Sequence, residues 1–151
     1  MGYVEELRNL VGHRPLILIG AGILVFNQNK ELLLLHRTDN DTWGIPGGMM
    51  EPGETIEETA KRETVEKTGL EVKSLQFFKI YSGHDQYYLY PNGDEVYNVS
   101  VVFLADQPAG EIRLEKREHS EFNFFPLDAL PSPIHPINMK KIEDYIQSIK
   151  V

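Results

Sequence analysis

The chain has 151 residues, 41% hydrophobic and 25% charged, a composition that gives one globular domain with its own core and excludes wholesale disorder. Lys and Arg total 15 against 23 Asp and Glu, a net charge of −8, which argues against duplex nucleic acid as a partner because phosphate neutralisation needs clustered cations. Cysteine is absent, so disulfide scaffolds, cysteine-ligated zinc and thiol catalysis are excluded.

The reading is a single domain over residues 1–151. Residues 3–11 predict a short helix with Val4, Leu7 and Leu10/Val11 on one side. Leu16–Phe26 is a continuous apolar run, read as a strand buried on both faces. It is too short to cross a bilayer, and its upstream flank, with Glu5, Glu6 and Pro15, is unlike a secretion signal. A cytoplasmic protein with no membrane contact is expected. Asn27–Lys30 is a turn, and Glu31–Arg37 a second strand, so 16–37 reads as a hairpin. Trp43-Gly44-Ile45-Pro46-Gly47-Gly48 is stiff and glycine-rich and is expected to need unusual backbone geometry.

The clearest helix runs from Ile56 to Thr68. Thr55 is the N-cap, Glu58 completes a capping box, and Gly69 stands where a C-terminal glycine belongs. Strands are expected at Val72–Tyr81, Glu95–Ala105 and Glu121–Pro126, with a turn at Pro91–Asp94 and a helical turn at Leu127–Leu130. Residues 137–149 close the chain as an amphipathic helix, with Ile142, Tyr145, Ile146 and Ile149 on one face. This order of elements gives a mixed sheet covered by helices, in the α/β or α+β class.

The chemistry concentrates in residues 51–71, which carry seven glutamates against Lys61, Arg62 and Lys67. A solvated helix face explains Glu57 and Glu58. It does not explain Glu63, which projects roughly 20° from Ile56, on the core side with Ala60 and Thr64. Glu66 lies on the flank beside it. Carboxylates at the edge of a core face are costly unless a cation compensates them, and a hard divalent cation with oxygen ligands does so. The spacing Gly48-x4-Gly53 approaches a phosphate-binding loop, but Glu54 stands where that loop needs lysine, so this reading is rejected on charge.

Gly48-x5-Glu54-x7-Arg62-Glu63-Thr64-x-Glu66-Lys67-x-Gly69-Leu70 resembles the Nudix box, G-x5-E-x7-R-E-U-x-E-E-x-G-U with U aliphatic, and keeps every spacing. The likeness extends to Trp43 through Gly48 and to the aromatic-rich strand ending at Pro126-Leu127, so it covers most of residues 14–130. The resemblance implies a Nudix-type α/β/α sandwich, with a mixed β-sheet between helices. It also implies Mg²⁺- or Mn²⁺-dependent hydrolysis of a nucleoside diphosphate linked to another moiety, such as a nucleotide sugar like ADP-ribose or a nucleoside triphosphate. The implied partner is a small nucleotide, and a homodimer stays open because relatives often dimerise. Carried over by position, Glu63 and Glu66 match metal ligands, with the Gly47 carbonyl as a further one. Arg62 matches the arginine that orients the glutamates, and Glu54 the first box glutamate. A later carboxylate, Glu118 or Glu121, would join as base or ligand.

Two positions depart from the pattern. Thr64 replaces an aliphatic residue, a mild change. Lys67 replaces the second glutamate of the pair, normally a principal metal ligand, and a charged lysine has no acceptor and repels a cation. It also lies one turn from Glu63, within pairing reach. Three readings stay open: an inactivated site in a protein that binds a nucleotide or metabolite, a site that holds metal more weakly, or a site in which Lys67 contacts the substrate phosphate. Hydrolysis at an RNA 5′ end is a further alternative, disfavoured by the acidic charge. Arg37, Trp43 and Tyr81 are candidate substrate contacts, against the plainer roles of surface charge, loop buttress and strand packing. The histidines show no metal spacing and are assigned no role.

Overall fold

The computed structural model describes residues 2–150. Its strands are β1 (Leu16–Phe26), β2 (Leu32–Arg37), β3 (Trp43–Gly44), β4 (Gly47–Met49), β5 (Gln76–Tyr81), β6 (Tyr87–Leu89), β7 (Glu95–Asp106) and β8 (His119–Phe125). The helices are α1 (Tyr3–Val11), α2 (Ile56–Thr68) and α3 (Pro136–Ile149). The strands form one mixed sheet in the order β3-β2-β1-β7-β5, with β4 on β1, β6 on β7 and β8 on β2.

The spine of the sheet is a parallel ladder of β1 against β7, from Leu16 opposite Val96 to Phe26 opposite Asp106. The expected hairpin over 16–37 is therefore a minor feature. β1 and β2 pair only at Phe26 and Leu32, because the same edge of β1 is taken by β4, with Gly20, Ala21 and Gly22 opposite Met49, Gly48 and Gly47. Nor is β1 buried on both faces throughout. From Gly20 onward it is, but Ile17 and Ile19 are exposed.

Side-chain alternation along β1 divides the core in two. Ala21, Ile23 and Val25 join Leu33, Leu35, Phe103 and Ala105 beneath Ala60 of α2. Leu24 and Phe26 join Leu32, Leu34, Tyr81 and Val102 beneath Ile142 of α3. Helices thus cover opposite faces of the sheet, the sandwich expected for this order of elements. At α2, Thr55 Oγ1 accepts from the Glu58 amide, the Glu58 carboxylate accepts from the Thr55 amide, and Gly69 adopts the left-handed conformation, as the capping pattern requires.

Four expectations change at the ends of elements. The strand expected from Val72 begins at Gln76. The helix at 3–11 forms, but none of its residues is buried and Leu10 is exposed. Ile149, expected on the apolar face of α3, is exposed. Residues 127–130 make a turn, closed by a hydrogen bond from the Ala129 amide to the Pro126 carbonyl, and no helix. Among the described residues, no helix is long and apolar enough to cross a membrane.

Candidate active site

A cavity of about 560 Å³ opens between the β1–β4 crossing, the start of α3 and the 115–119 loop. Glu63 and Lys67 line it at its α2 end, with Gly47, Gly48 and Glu118, and His135 and Lys141 line it at its α3 end; Arg37, Tyr88, Tyr90, Asn98 and Ser100 line it as well.

Glu63 occupies the place expected from its helix position: it is 7% exposed, while Ala60 and Thr64 are fully buried. The glycines before the box explain how a carboxylate fits there. Neither Gly47 nor Gly48 has a positive φ, so the expected unusual backbone geometry is absent. What these positions need is a missing side chain. A Cβ on Gly48 would stand 2.2 Å from Glu63 Cδ, and one on Gly47 would stand 2.4 Å from the Ala21 carbonyl oxygen. Glycine here lets backbone approach backbone, and carboxylate approach backbone.

Arg62 organises the acids. Its Nε donates to Glu54 Oε2 at 2.5 Å and its Nη2 to Glu54 Oε1 at 2.9 Å, a bidentate pair. Nη1 donates to Glu63 Oε1 at 2.8 Å and to Glu66 Oε2 at 3.3 Å, and Nη2 also reaches the Met49 carbonyl at 3.0 Å. One planar guanidinium thereby ties α2 to the end of β4 and fixes three glutamates. Glu54 also accepts from the Glu51 amide and the Thr59 hydroxyl. Its hydrogen bonds, Arg62 foremost, hold its carboxyl down to about 2. Burial has the opposite effect on Glu63 and pushes its carboxyl up, against the pull of Lys67 and Arg62.

Lys67 approaches this cluster from α2. Its Nζ stands 3.9 Å from Glu63 Oε2 and donates a hydrogen bond to Glu118. The ammonium therefore bridges a box carboxylate and the later loop. That loop also gathers Glu115, Glu118 and His119, with one ligand atom from each within 4.8 Å of the others. His119 is buried, and its Nδ1 has no hydrogen-bond partner. Sequence spacing alone assigned His119 nothing, because the grouping depends on how the loop folds back on Lys67.

The other expected residues separate. Glu118 lines the cavity; Glu121 does not, and pairs across the sheet with His36 on an exposed stretch of β8. Arg37 lines the cavity and is held by Asp39 through Nε at 3.0 Å and Nη2 at 2.8 Å. Trp43 stacks edge-on against His36 and Phe125 and buttresses the α3-side core. Tyr81 is buried in that same core, and its hydroxyl donates to Asp144 at 2.8 Å. Neither aromatic lines the cavity. Their places follow from strand alternation, which turns both towards α3.

The cavity's far end was missed. Lys141 and Ile137 lie one turn apart on α3, and both are buried. A lysine on the core stripe is the same signal that singled out Glu63. His135 caps α3, its Nδ1 accepting from the Ile137 amide at 3.1 Å, and burial lowers its imidazole to about 4.

Residues 17–145 match the NUDIX domain family. An ADP-ribose pyrophosphatase from Methanocaldococcus jannaschii is 33% identical over 126 residues, covering 82% of this chain and 70% of that protein. The NAD-capped RNA hydrolase NudC of Vibrio atlanticus is 29% identical over 141 residues, 91% of this chain but 49% of its own length, so the chain spans about half of that relative. The MutT NUDIX hydrolase of Burkholderia pseudomallei shares the fold with a TM-score of 0.73 and 26% identity, over 85% of this chain and 97% of that one. The NUDIX domain of Shewanella oneidensis NrtR, solved with ADP ribose, has the same fold with a TM-score of 0.72 at 20% identity, covering 99% and 100% of the two chains. With Arg62 tying the box glutamates together, Glu63 of that cluster lining a cavity, and a family match over most of its length, the chain belongs to the Nudix hydrolase family.

Proposed function

We propose that the chain hydrolyses the pyrophosphate link of a nucleoside diphosphate joined to another group, with nucleotide sugars such as ADP-ribose and nucleoside triphosphates as the substrate classes. The observation that carries this reading is Glu63: a buried carboxylate fixed by Arg62 against the Gly48 backbone, at the head of a cavity of nucleotide size. The ADP-ribose pyrophosphatase among its relatives supports the class.

The donor set fits a divalent cation in kind. Glu63 and Glu66 are paired carboxylates on one helix face, the Gly47 carbonyl lies at the same rim, and the orphaned, buried Nδ1 of His119 belongs to a loop that brings Glu115 and Glu118. Glu63, Glu66 and Gly47 would hold Mg²⁺ or Mn²⁺, with Glu118 the later carboxylate that faces the cavity. A bound cation neutralises charge on the phosphates and acidifies water. The chain's own residues do the rest. Arg62 holds Glu63 and Glu66 at fixed orientation, Glu118 offers a base towards the cavity, and Arg37 stands ready for a phosphate oxygen.

Lys67 moderates this site. Its ammonium neutralises Glu63 and Glu118, so a divalent cation must compete with a built-in charge, and weak metal affinity is expected. The same residue favours a second reading, in which the chain binds its nucleotide without turning it over. The experiment is hydrolysis by the chain and by Lys67→Glu, side by side, of ADP-ribose, other nucleotide sugars, dinucleoside polyphosphates, nucleoside triphosphates and NAD-capped RNA, with Mg²⁺ or Mn²⁺. Lys67→Glu is expected to raise both metal affinity and turnover. Turnover by the Glu variant alone assigns the natural chain to binding, and equal or lower turnover in that variant overturns the view of Lys67 as a weakened ligand position.

A further inference from the structure

The far end of the cavity holds an unusual cation. Lys141 is 3% exposed and forms part of the cavity wall. Among the described residues its ammonium has no hydrogen-bond or ion-pair partner. Its recorded contact is the ring of Tyr81, with Nζ 5.9 Å from the centroid. The acid on the same helix face one turn on, Asp144, is already committed to Lys79, Lys140 and the Tyr81 hydroxyl. Burial pushes the Lys141 ammonium down to about 8, and no neighbouring charge offsets the shift. A buried, unpaired charge is costly, and the fold gains nothing from it in the free protein.

The surroundings define what would satisfy it. Ser100 and His135 are buried and line the same cavity as Lys141. The His135 Nδ1 accepts from the Ile137 amide, so the neutral ring carries its proton on Nε2 and is a donor. Tyr88 packs on His135 with centroids 4.5 Å apart and the rings tilted by 43°, and Ile45 and Ile137 complete an apolar surround. Flat aromatic and apolar walls with a few convergent donors suit a heteroaromatic ring bearing an acceptor oxygen. Glu63 comes from α2 and Lys141 from α3, helices on opposite faces of the sheet, and both line the one cavity.

We propose that Lys141 reads a keto oxygen on the nucleobase of the substrate, so that the site prefers guanine or uracil nucleotides to adenine nucleotides. This rests on the nucleotide-hydrolase reading above and narrows it, because it ranks adenine substrates such as ADP-ribose below guanine and uracil nucleotides within the same classes. Lysine has three donors and no acceptor. Guanine offers it O6 beside N7, and uracil offers O4, whereas adenine keeps N7 but carries an amino group in place of O6, a donor that Lys141 cannot accept from. Ser100 and His135 serve as positioning residues for the same ring.

The test is titration calorimetry with the α,β-methylene analogues of GDP, UDP and ADP in the presence of Mg²⁺, on the full chain and on Lys141→Met. The bridging carbon prevents turnover, so binding is read separately from hydrolysis. Methionine fills the lysine's volume without its charge and keeps the fold, with a melting temperature equal to or above that of the parent. The keto analogues should bind at least about tenfold more tightly than the adenine one, and Lys141→Met should remove that gap by weakening only the keto pair. An adenine analogue that binds as tightly as the others overturns the proposal and leaves the hydrolase reading standing. Equal weakening of all three by Lys141→Met also overturns it, because the lysine would then be reading phosphate. If none of the three binds the folded parent chain, the nucleotide reading falls together with this one.

Discussion

Gly48→Ala separates the two jobs of the glycine pair. The new Cβ would lie 2.2 Å from Glu63 Cδ and 2.4 and 2.5 Å from the two carboxylate oxygens, so the carboxylate must leave its seat. The backbone at Gly48 is not left-handed, and alanine is favoured there by about 0.4–1 kcal/mol through the unfolded chain. Against this stands the loss of one charge-assisted bond, Arg62 to Glu63 at 2.8 Å, about 1.5–3 kcal/mol. The net cost is about 1–2 kcal/mol, a melting-temperature drop of roughly 2–8 °C for a domain of this size. Turnover should fall about a hundredfold, because a catalytic group displaced by about 1 Å loses that much. Gly47→Ala should show the reverse balance. Its Cβ would meet the Ala21 carbonyl oxygen at 2.4 Å and Gly22 Cα at 3.2 Å, atoms of a ladder that cannot swing aside, at a cost of about 3 kcal/mol. Thermal unfolding and turnover on the best substrate of the panel read both variants. Parental turnover in Gly48→Ala, or equal instability in the two variants, would show that the glycines do not divide the work between carboxylate and ladder.

Acid should destabilise the protein from about pH 6.5 downward. The folded imidazole of His135 titrates near 4, below its value of 6.5 when free. Its contribution is therefore complete above 6.5 and lost as pH falls towards 4, at most about 3 kcal/mol. His135→Asn keeps an acceptor for the α3 cap and should flatten the melting curve across that window. Glu54, held near 2 by Arg62, contributes above about pH 4.5 and loses its contribution below it, so the variant should still unfold at lower pH. Thr55→Ala removes one half of the capping box at a cost of about 1 kcal/mol, and calorimetric melting should show it with turnover intact.

The box helix was legible because its information is local. Caps, helical period and the misplaced charge of Glu63 all lie within one segment, and the Lys67–Glu63 approach follows from one helical turn. The sheet was less legible. The continuous apolar run of β1 marks a strand covered on both faces but does not say which strand lies beside it, so the short turn at 27–30 drew the reading towards a hairpin. The glycines of β4 advertised unusual torsions, yet their reason is what approaches them from another element. Lys141 was legible in principle, since it shares a stripe with Ile137 and Tyr145. Tyr81 and Trp43 look like ligand-facing aromatics in a list of residues, and only the face of the strand decides that they point into the core.

The β1–β7 ladder joins residues eighty positions apart, Leu16 with Val96 at one end and Phe26 with Asp106 at the other. Closing so large a loop adds little to the equilibrium cost, which grows only with the logarithm of length, but contacts of high sequence separation slow the search for the native state. During synthesis α2 is complete, caps included, before β7 exists. The apolar β1 therefore waits with one edge open for most of the chain's emergence, a strand that other chains can pair with. Because Gly20–Gly22 meet β4 on one side and Ser100–Val102 on the other, the cavity gains its floor only when that wait ends. Variants that slow the arrival of β7 should lose soluble yield before the surviving folded molecules lose any activity.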